Sequence, residues 1–508
     1  MLSQNSTVAV LGAGAMGQAI AIVAARAGHP VLIYDVNLET ARGAISKLKQ
    51  TNDWLVSRGK INAAESEKQL GRISIATRLE DISNADLVIE AIVENLKVKS
   101  DLISRVESIT RAKTIIATNT SALSITELAA CLTKQERFVG LHFFNPADRL
   151  PLVEIVSGYK TSNETIDCLV TLTKKWDKIP VVCGSTPGFI VNRIARPFYG
   201  EAFLLLEEQV SDPATIDAIM CESGGFKMGP FYLTDMIGHD VNYAVTKSVY
   251  EAFYNDARYK PSLLQKELVQ AGYLGRKSGQ GIYSYEKGSE HPLPQTEPQM
   301  KKPKTVVFKG SLGQAEALFN LAEKAGIDVV REEGDNCIIV GDVRLALTDG
   351  RLAITHSSQY GPTILFDLAL NYADASRICL SVPDELPLSL RHQAVGFFQA
   401  LGKEVSIVKD VPGIVVMRTV AMLINEAVDA LYLGIAKAED IETAMLKGVN
   451  YPCGLLAWAD QLGATLITNV LQNLASIYLD GRYRPSPLLI GRVNSSKSFV
   501  PEILNNDC

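Results

Sequence analysis

The chain has 508 residues, of which 47% are hydrophobic and 21% are charged, as in folded globular proteins. This composition excludes a disordered or collagen-like chain, and at roughly 150 residues per domain the length predicts three or four domains. The net charge of −6 lacks the basic excess that favours nucleic acid or anionic membranes as partners. The eight cysteines form no CxxC pair or Cys/His cluster, which predicts no zinc site and favours thiols in a reducing cytoplasm.

An uncharged run over residues 8–25 has the length of a signal-peptide core or a short membrane span. No basic segment precedes this run, and Gly12, Gly14 and Gly17 interrupt it where a membrane helix would have no need of glycine. We therefore expect no targeting segment here. Residues 7–35 instead have the pattern strand, glycine turn, helix and second strand.

The glycine turn has the form Gly12-x-Gly14-x-x-Gly17. In such a motif the first glycine makes the tight turn, the second lets the backbone approach a pyrophosphate, and the third allows close packing of helix and sheet. Asp35 follows Gly17 by 18 residues, where a carboxylate binds ribose hydroxyls and repels a 2′-phosphate, so NAD is favoured over NADP. The loop residues expected to bind the cofactor are Gly12, Gly14, Ala15, Met16 and Gly17.

Alternating apolar runs and helices continue to residue 186 and predict a parallel, doubly wound sheet, with a charged helical stretch at 38–70. Beyond Pro187 long helical segments dominate until an extended run, GIYSY, at 281–285. A proline- and charge-rich stretch at 286–304 reads as a linker. A second strand–turn–helix unit follows it, and the helical pattern returns after Pro412.

The chain contains an internal repeat. Pro187-Gly188 matches Pro412-Gly413 at an offset of 412 − 187 = 225. The same offset joins Arg193 to Arg418, Glu201 to Glu426, Ile216 to Ile441, Gly229 to Gly454 and Asp235 to Asp460. Near the end, RYKPS at 258–262 matches RYRPS at 482–486 at an offset of 482 − 258 = 224, which implies one deletion. The sequence thus predicts an α/β Rossmann domain plus an all-α domain, tandemly duplicated with a reduced second Rossmann-like domain. The predicted boundaries are 1–186, 187–285, a linker at 286–304, 305–410 and 411–495.

Three polar residues in the first α/β segment are candidates for catalysis. His142 lies just after a predicted strand, where open α/β sheets place their ligands, although a structural histidine is equally compatible with the pattern. Glu154 lies in the apolar run LPLVEIV, and a buried carboxylate there needs a partner such as His142. Ser121 ends another strand and has two interpretations, a donor to a substrate oxygen or the N-cap of the next helix.

The motifs GAGAMG, EAIVEN, NTSALSI, GLHFFNPA, LVEIV and TPGFIVNR, in this order, resemble the L-3-hydroxyacyl-CoA dehydrogenase family. The resemblance covers residues 5–286, and residues 412–494 resemble the family's C-terminal domain a second time. The long layout is similar to bacterial enzymes that act on 3-hydroxyadipyl-CoA, as in phenylacetate breakdown, or on 3-hydroxybutyryl-CoA. Two alternatives are a related hydroxy-acid dehydrogenase of the gulonate type, which would not require CoA, and a non-catalytic crystallin-like protein.

The resemblance implies a role for each matching residue. His142 would take the proton of the 3-hydroxyl group, Glu154 would orient it, and Ser121 and Asn192 would hydrogen-bond the reacting oxygen. Further residues matching NAD contacts of relatives are Glu94, Lys99, Asn145 and Lys277. The helical stretch 38–70 would cover CoA, with Lys47 and Lys49 as phosphate contacts. The substrate would be an acyl-CoA, with no metal, nucleic acid or membrane partner.

The second copy departs from this pattern. Met417 stands where the first copy has Asn192, and residues 304–411 show no NTS or HFFNP motif. The second glycine turn, Gly310-Ser-Leu-Gly313, is shortened and has no matching terminal acid, so no nucleotide is expected there. One active site per chain is predicted, with the two helical domains forming an internal pseudo-dimer, while a homodimer of whole chains stays open.

Overall fold

The computed structural model describes residues 2–3, 5–495 and 497–500, which fall into two compact units. The first unit contains the described residues up to Arg193 together with Leu433–Val449. The second contains Ile194–Tyr432 and the described chain from Asn450 onward. A stretch of the second repeat therefore belongs to the first unit.

Eight strands form the sheet of the first unit, in the order β3-β2-β1-β4-β5-β6-β7-β8. They are β1 Val8–Leu11, β2 Val31–Tyr34, β3 Ile73–Ala76, β4 Leu87–Glu90, β5 Ile115–Thr118, β6 Phe138–Phe143, β7 Leu152–Ser157 and β8 Ile179–Gly184. All neighbours are parallel except β6 and β7, which are antiparallel. The predicted parallel, doubly wound sheet thus contains one antiparallel pair, because the short connection 144–151 contains no crossover helix.

Helices cover this sheet and confirm the predicted α/β alternation. They are α1 Ala15–Arg26, α2 Leu38–Ser57, α3 Ala63–Leu70, α4 Leu96–Ile109, α5 Ile125–Ala129, α6 Asn163–Lys175, the short α7 Val191–Ile194, and α17 Ala438–Gly448 from the second repeat. The central strands β1 and β4 are buried along their whole length, as expected for a sheet covered on both faces. The predicted helical stretch 38–70 is confirmed as the pair α2 and α3.

The second unit contains a smaller, mixed sheet in the order β10-β9-β11-β12-β13-β14-β15. Its strands are β9 Thr305–Lys309, β10 Asp328–Glu332, β11 Cys337–Val340, β12 Val343–Leu347, β13 Thr363–Phe366, β14 Arg377–Ser381 and β15 Glu404–Val408. The last four strands pair as parallel, antiparallel and parallel, which repeats the pattern of β5 to β8. The second sheet is therefore a reduced copy of the first.

The remaining helices belong to this second unit. They are α8 Arg196–Glu207, α9 Pro213–Glu222, α10 Pro230–Ile237, α11 His239–Ala252, α12 Leu263–Gln270, α13 Ala317–Lys324, α14 Ala353–Tyr360, α15 Leu388–Ala400, α16 Val416–Tyr432, α18 Leu455–Leu462, α19 Ala464–Tyr478 and α20 Pro487–Ser495. The run at 281–285 makes only an isolated bridge between Gln280 and Ser284, so the extended element predicted there is wrong.

Two buried carboxylates join the helical segments of the two repeats in a reciprocal manner. Glu201 accepts from Arg482 Nε at 2.8 Å, and Glu426 accepts from Arg258 Nη1 at 3.2 Å. The tyrosine that follows each arginine donates to the same carboxylate. Because 426 − 201 = 225 and 482 − 258 = 224, each contact is the repeat counterpart of the other, as in an isologous interface.

No helix within residues 2–3, 5–495 and 497–500 has the length and apolar character needed to cross a membrane. In the same part of the chain, no three or more His, Cys, Asp or Glu side chains are grouped to hold a metal ion.

Candidate active site

The glycine turn after β1 has the geometry of a phosphate-binding loop. Gly12 has φ +103°, and a Cβ atom on Gly17 would lie 1.8 Å from the Gly12 carbonyl oxygen, so a side chain is excluded at both positions. Gly14, by contrast, has open space around it, with no atom within 4 Å of a Cβ. Gly14 also caps α1 without any side-chain hydrogen bond, which leaves the first-turn amides of Ala15 and Met16 available to an anion.

Asp35 lies directly after β2 and is tied to this turn. Its Oδ2 accepts from the Ala13 amide at 2.9 Å, and its Oδ1 accepts from the Asn37 amide at 2.9 Å. The carboxylate therefore stands beside the glycine turn at the carboxyl end of the sheet, as the ribose-binding prediction requires. Turn, helix terminus and acid together fit the pyrophosphate and ribose of a dinucleotide.

Lys99 and Glu90 form a buried ion pair at the end of β4, and the exposed Glu94 adjoins it. Lys99 is 1% exposed, and its Nζ lies 2.6 Å from Glu90 Oε1 and 3.3 Å from Glu94 Oε2. Glu94 Oε1 in turn accepts from the Ser121 amide at 3.1 Å and from the Thr120 hydroxyl. Lys99 thus holds Glu94 against the Ser121 loop, and direct contacts of either residue with NAD stay predictions.

Glu90 was not predicted as part of the site. It is fully buried at the end of β4 and accepts from Thr118 Oγ1 at 2.7 Å as well as from Lys99. A signal was present, since a carboxylate closes the apolar run LVIE, just as Glu154 interrupts its own apolar strand. The same argument from the cost of burying a charge points to both residues.

His142 and Glu154 face each other across the antiparallel strands β6 and β7. They are directly opposite in the register, so their side chains lie on the same face of the sheet. His142 Nδ1 is 2.7 Å from Glu154 Oε2, and the two residues are 6% and 0% exposed. The reversal of β7 thus brings together two residues that are twelve apart in sequence.

The second carboxylate oxygen fixes the orientation of Glu154. Its Oε1 accepts from the amides of Ile190 at 3.1 Å and Val191 at 2.9 Å, at the start of α7. An ionised carboxylate only accepts hydrogen bonds, so the histidine must donate from Nδ1, which leaves Nε2 to accept a proton. Phe144 and Phe189 pack against the imidazole with centroid separations of 4.5 and 5.9 Å, which restricts rotation of the ring.

Ser121 follows β5. Of its two interpretations, the structure tests the one in which it caps the next helix. The N-cap of α5 is Ser124, whose hydroxyl accepts from the Glu127 amide at 3.2 Å. Ser121 is therefore not the helix cap. Asn119, which the sequence did not single out, accepts from the Phe143 amide at 2.8 Å and links the Ser121 loop to the end of β6, where His142 lies.

Comparison with known proteins bears directly on this arrangement. The family model of the 3-hydroxyacyl-CoA dehydrogenase NAD binding domain matches residues 7–186, and that of the C-terminal domain matches 188–285 and 413–498. The reduced Rossmann-fold domain of 3-hydroxybutyryl-CoA dehydrogenase matches 345–412. The chain is 42% identical over 490 residues to 3-hydroxyadipyl-CoA dehydrogenase of Escherichia coli (strain K12), with coverage of 96% of this chain and 98% of that protein. This chain belongs to the 3-hydroxyacyl-CoA dehydrogenase family.

Two further relatives agree with this membership. A crystal structure of 3-hydroxybutyryl-CoA dehydrogenase from Escherichia coli K12 superposes with a TM-score of 0.89 at 42% identity, covering 97% of this chain and 99% of that one. A probable 3-hydroxybutyryl-CoA dehydrogenase of Deinococcus radiodurans is 40% identical over 54% of this chain and 99% of its own length. The protein is thus an NAD-dependent 3-hydroxyacyl-CoA dehydrogenase, and the gulonate-type and crystallin-like alternatives are disfavoured.

The other predicted site residues of this dehydrogenase lie on several elements. Asn192 is in the first turn of α7, next to Val191, and Asn145 is exposed just beyond β6. Lys47 and Lys49 are both exposed on α2, and their contact with CoA stays a prediction. Lys277 belongs to the second unit, where its Nζ lies 2.5 Å from an aspartate carboxylate.

The second copy has replaced both members of the His142–Glu154 pair. At the offset of 225, Asp367 corresponds to His142 and Cys379 to Glu154, and the Asp367 amide bonds to the Cys379 carbonyl at 2.9 Å. The Asp367 carboxylate accepts from the amides of Val415 at 3.0 Å and Val416 at 2.7 Å, the counterparts of Ile190 and Val191. In the second copy the carboxylate that accepts from these two amides therefore comes from the position equivalent to His142. No histidine–carboxylate pair is formed there.

Proposed function

We propose that His142 is the base in this dehydrogenase and that it takes the proton of the 3-hydroxyl group at Nε2. The observation that carries this assignment is the 2.7 Å contact between His142 Nδ1 and the buried Glu154 carboxylate. That contact fixes the tautomer with Nε2 unprotonated, and the carboxylate stabilises the imidazolium that forms. NAD, when bound, accepts the hydride from C3.

Ser121 and Asn192 complete the proposed set by donating hydrogen bonds to the reacting oxygen. Ser121 is held by the hydrogen bond from its backbone amide to Glu94. Asn192 is held in the α7 turn, where the Val191 amide donates to Glu154. Donors fixed before the reaction stabilise the negative charge that develops on this oxygen as the proton leaves. The residues of the second copy take no part in these steps.

His142→Gln tests the assignment of the base. We expect kcat to fall about 10²- to 10⁴-fold, the range in which a positioned general base contributes, while the affinity for NADH is unchanged. The assay is NADH-coupled reduction of acetoacetyl-CoA, with NADH binding measured separately by fluorescence titration. Near-normal turnover in the variant would show that the base is wrongly assigned.

For the acyl group we propose 3-hydroxyadipyl-CoA, with 3-hydroxybutyryl-CoA as the second candidate. The proposal is supported by the full-length similarity to the Escherichia coli protein named for the first substrate and by the superposed structure named for the second. A dicarboxylic substrate needs a cation near its distal end. The candidates are Arg149, Arg193 and Arg196, of which Arg193 belongs to the family motif TPGFIVNR in any case. Comparing kcat/KM for acetoacetyl-CoA and 3-oxoadipyl-CoA distinguishes the two.

We also propose that the reciprocal Glu201 and Glu426 contacts form an internal pseudo-dimer of helical domains, and that the enzyme is cytoplasmic. Charge supports a further assignment of Lys47 and Lys49 to the phosphates of CoA. In this proposal the second half of the chain supplies the helical domain that pairs with the first. If residues 1–290 alone proved fully active and monomeric, this role of the second half would be refuted.

A further inference from the structure

The unit that carries the catalytic residues is completed by the second repeat. Residues 433–449 belong to it and continue the sheet beyond its last strand. The Gly184 amide at the end of β8 donates to the Ile435 carbonyl at 2.8 Å, and Cys183 and Ala436 form an antiparallel bridge. Helix α17 follows and packs over β7 and β8.

The last residue of α17 contacts both structural supports of Glu154. A Cβ atom on Gly448 would lie 2.6 Å from Leu152 Cδ2 and 3.2 Å from Val191 Cγ2. Leu152 is two residues before Glu154 on β7, so the two side chains lie on the same face of the strand. The Val191 amide donates to Glu154 Oε1 at 2.9 Å. Gly448 therefore touches the neighbour of Glu154 and the residue that caps it.

The buried thiol of Cys183 lies between α17 and Glu154 in electrostatic terms, since it responds to a charge on each. Cys183 is buried, and after desolvation the next causes that raise the pKa of its thiol are the charges of Glu154 and Asp440. Asp440, in the first turn of α17, accepts from the Val182 amide on β8. Three titratable groups bear on this region: His142 on β6 bonds to Glu154, Cys183 on β8 lies within the field of Glu154, and Asp440 on α17 acts on the same Cys183.

We infer that α17 is a positioning element for Glu154 and that Gly448 sets the positions of Leu152 and Val191. This inference rests on the proposed role of Glu154 in holding His142. A side chain at position 448 must move Leu152 or the α7 turn, since both are in contact. Either movement changes the distance from the Val191 amide to Glu154 and thereby the carboxylate presented to the imidazole.

Gly448→Val in the full-length enzyme tests this inference. We expect kcat to fall about 10- to 100-fold, as for small displacements of catalytic groups, with KM for acetoacetyl-CoA and NADH affinity within twofold of wild type. We expect the carboxylate to withdraw from His142 Nδ1, so that the imidazolium loses support and the acid limb of the kcat/KM profile for alcohol oxidation moves to lower pH. A purely structural loss reduces the active fraction and leaves this limb in place.

Gly491→Val is the matched control. Gly491 lies in α20 of the same repeat, and a Cβ atom there meets nothing within 4 Å, so wild-type kinetics are expected. Gly448→Ala adds a single methyl group and should give an intermediate effect, which Leu152→Val in the same chain should relieve by making room. This graded pair keeps the test valid if Gly448→Val does not fold.

Two results would overturn the inference. One is a folded Gly448→Val enzyme with the kcat and pH profile of Gly491→Val. The other is a loss of kcat with an unmoved acid limb and no rescue of Gly448→Ala by Leu152→Val. Neither result resembles failure of the proposed base, which would appear as near-normal turnover in His142→Gln.

Discussion

Replacing Glu154 by glutamine separates the charge and hydrogen-bonding pattern of this residue from its shape. The carboxylate is fully buried and accepts from His142 Nδ1 at 2.7 Å and from the amides of Ile190 and Val191. A glutamine oxygen must stay on the two amides, since its NH₂ group there would face two donors. The NH₂ group is then directed at Nδ1, which has to become an acceptor.

The consequence is a change of tautomer in His142. With Nδ1 accepting, the imidazole proton moves to Nε2, the atom that we propose receives the substrate proton. We expect kcat to fall about 10²- to 10⁴-fold, which corresponds to about 2.7–5.4 kcal/mol of activation free energy at 1.36 kcal/mol per tenfold. The free energy of unfolding should change by only about 1 kcal/mol, because the hydrogen bonds from the Ile190 and Val191 amides remain.

The assay is NADH-coupled reduction of acetoacetyl-CoA, with thermal unfolding measured on the same preparations. Glu164→Gln, at an exposed position in the first turn of α6, is the control and should behave as wild type. A Glu154→Gln enzyme that is folded and keeps more than a third of wild-type kcat would refute the tautomer argument.

Two further predictions concern the glycine turn and the second copy. A valine at position 14 has room inside the protein, so Gly14→Val should keep its fold while its NADH affinity, measured by calorimetry, falls at least about tenfold. A valine at position 17 collides with the Gly12 carbonyl, so Gly17→Val should lower the melting temperature. Asp367→Ala leaves the Val415 and Val416 amides without their acceptor and should cost about 1–3 kcal/mol in thermal unfolding. Burial raises the pKa of Asp367 to about 6, so its stabilising contribution is lost as pH rises through 6, and the difference between wild type and Asp367→Ala should be larger at pH 5 than at pH 7.5.

Local patterns account for the parts of the site that the sequence predicted. The glycine turn, Asp35 and His142 each lie at a strand end, and strand ends can be located from short apolar runs and their flanking turns. Glu154 was found because a carboxylate in an apolar strand is costly without a partner. These arguments need only the residues next to each position.

The parts that the sequence did not predict depend on distant contacts. The docking of α17 on β8 joins residues more than 250 positions apart, and neither segment alone shows a pattern that identifies the other. The counterpart of His142 was missed for another reason. The offset of 225 leads to Asp367, but the residue type has changed, so a motif search finds nothing while the backbone pairing is retained.

The reciprocal Glu201 and Glu426 contacts also have a genetic consequence. In a homodimer of short chains one coding sequence specifies both halves, and a mutation that removes the catalytic histidine silences both sites together. Here the two halves that meet at these carboxylates are encoded by different stretches of one coding sequence, so each half can mutate independently. Position 367 can therefore carry aspartate while position 142 keeps histidine, and each copy is free to be selected for its own task.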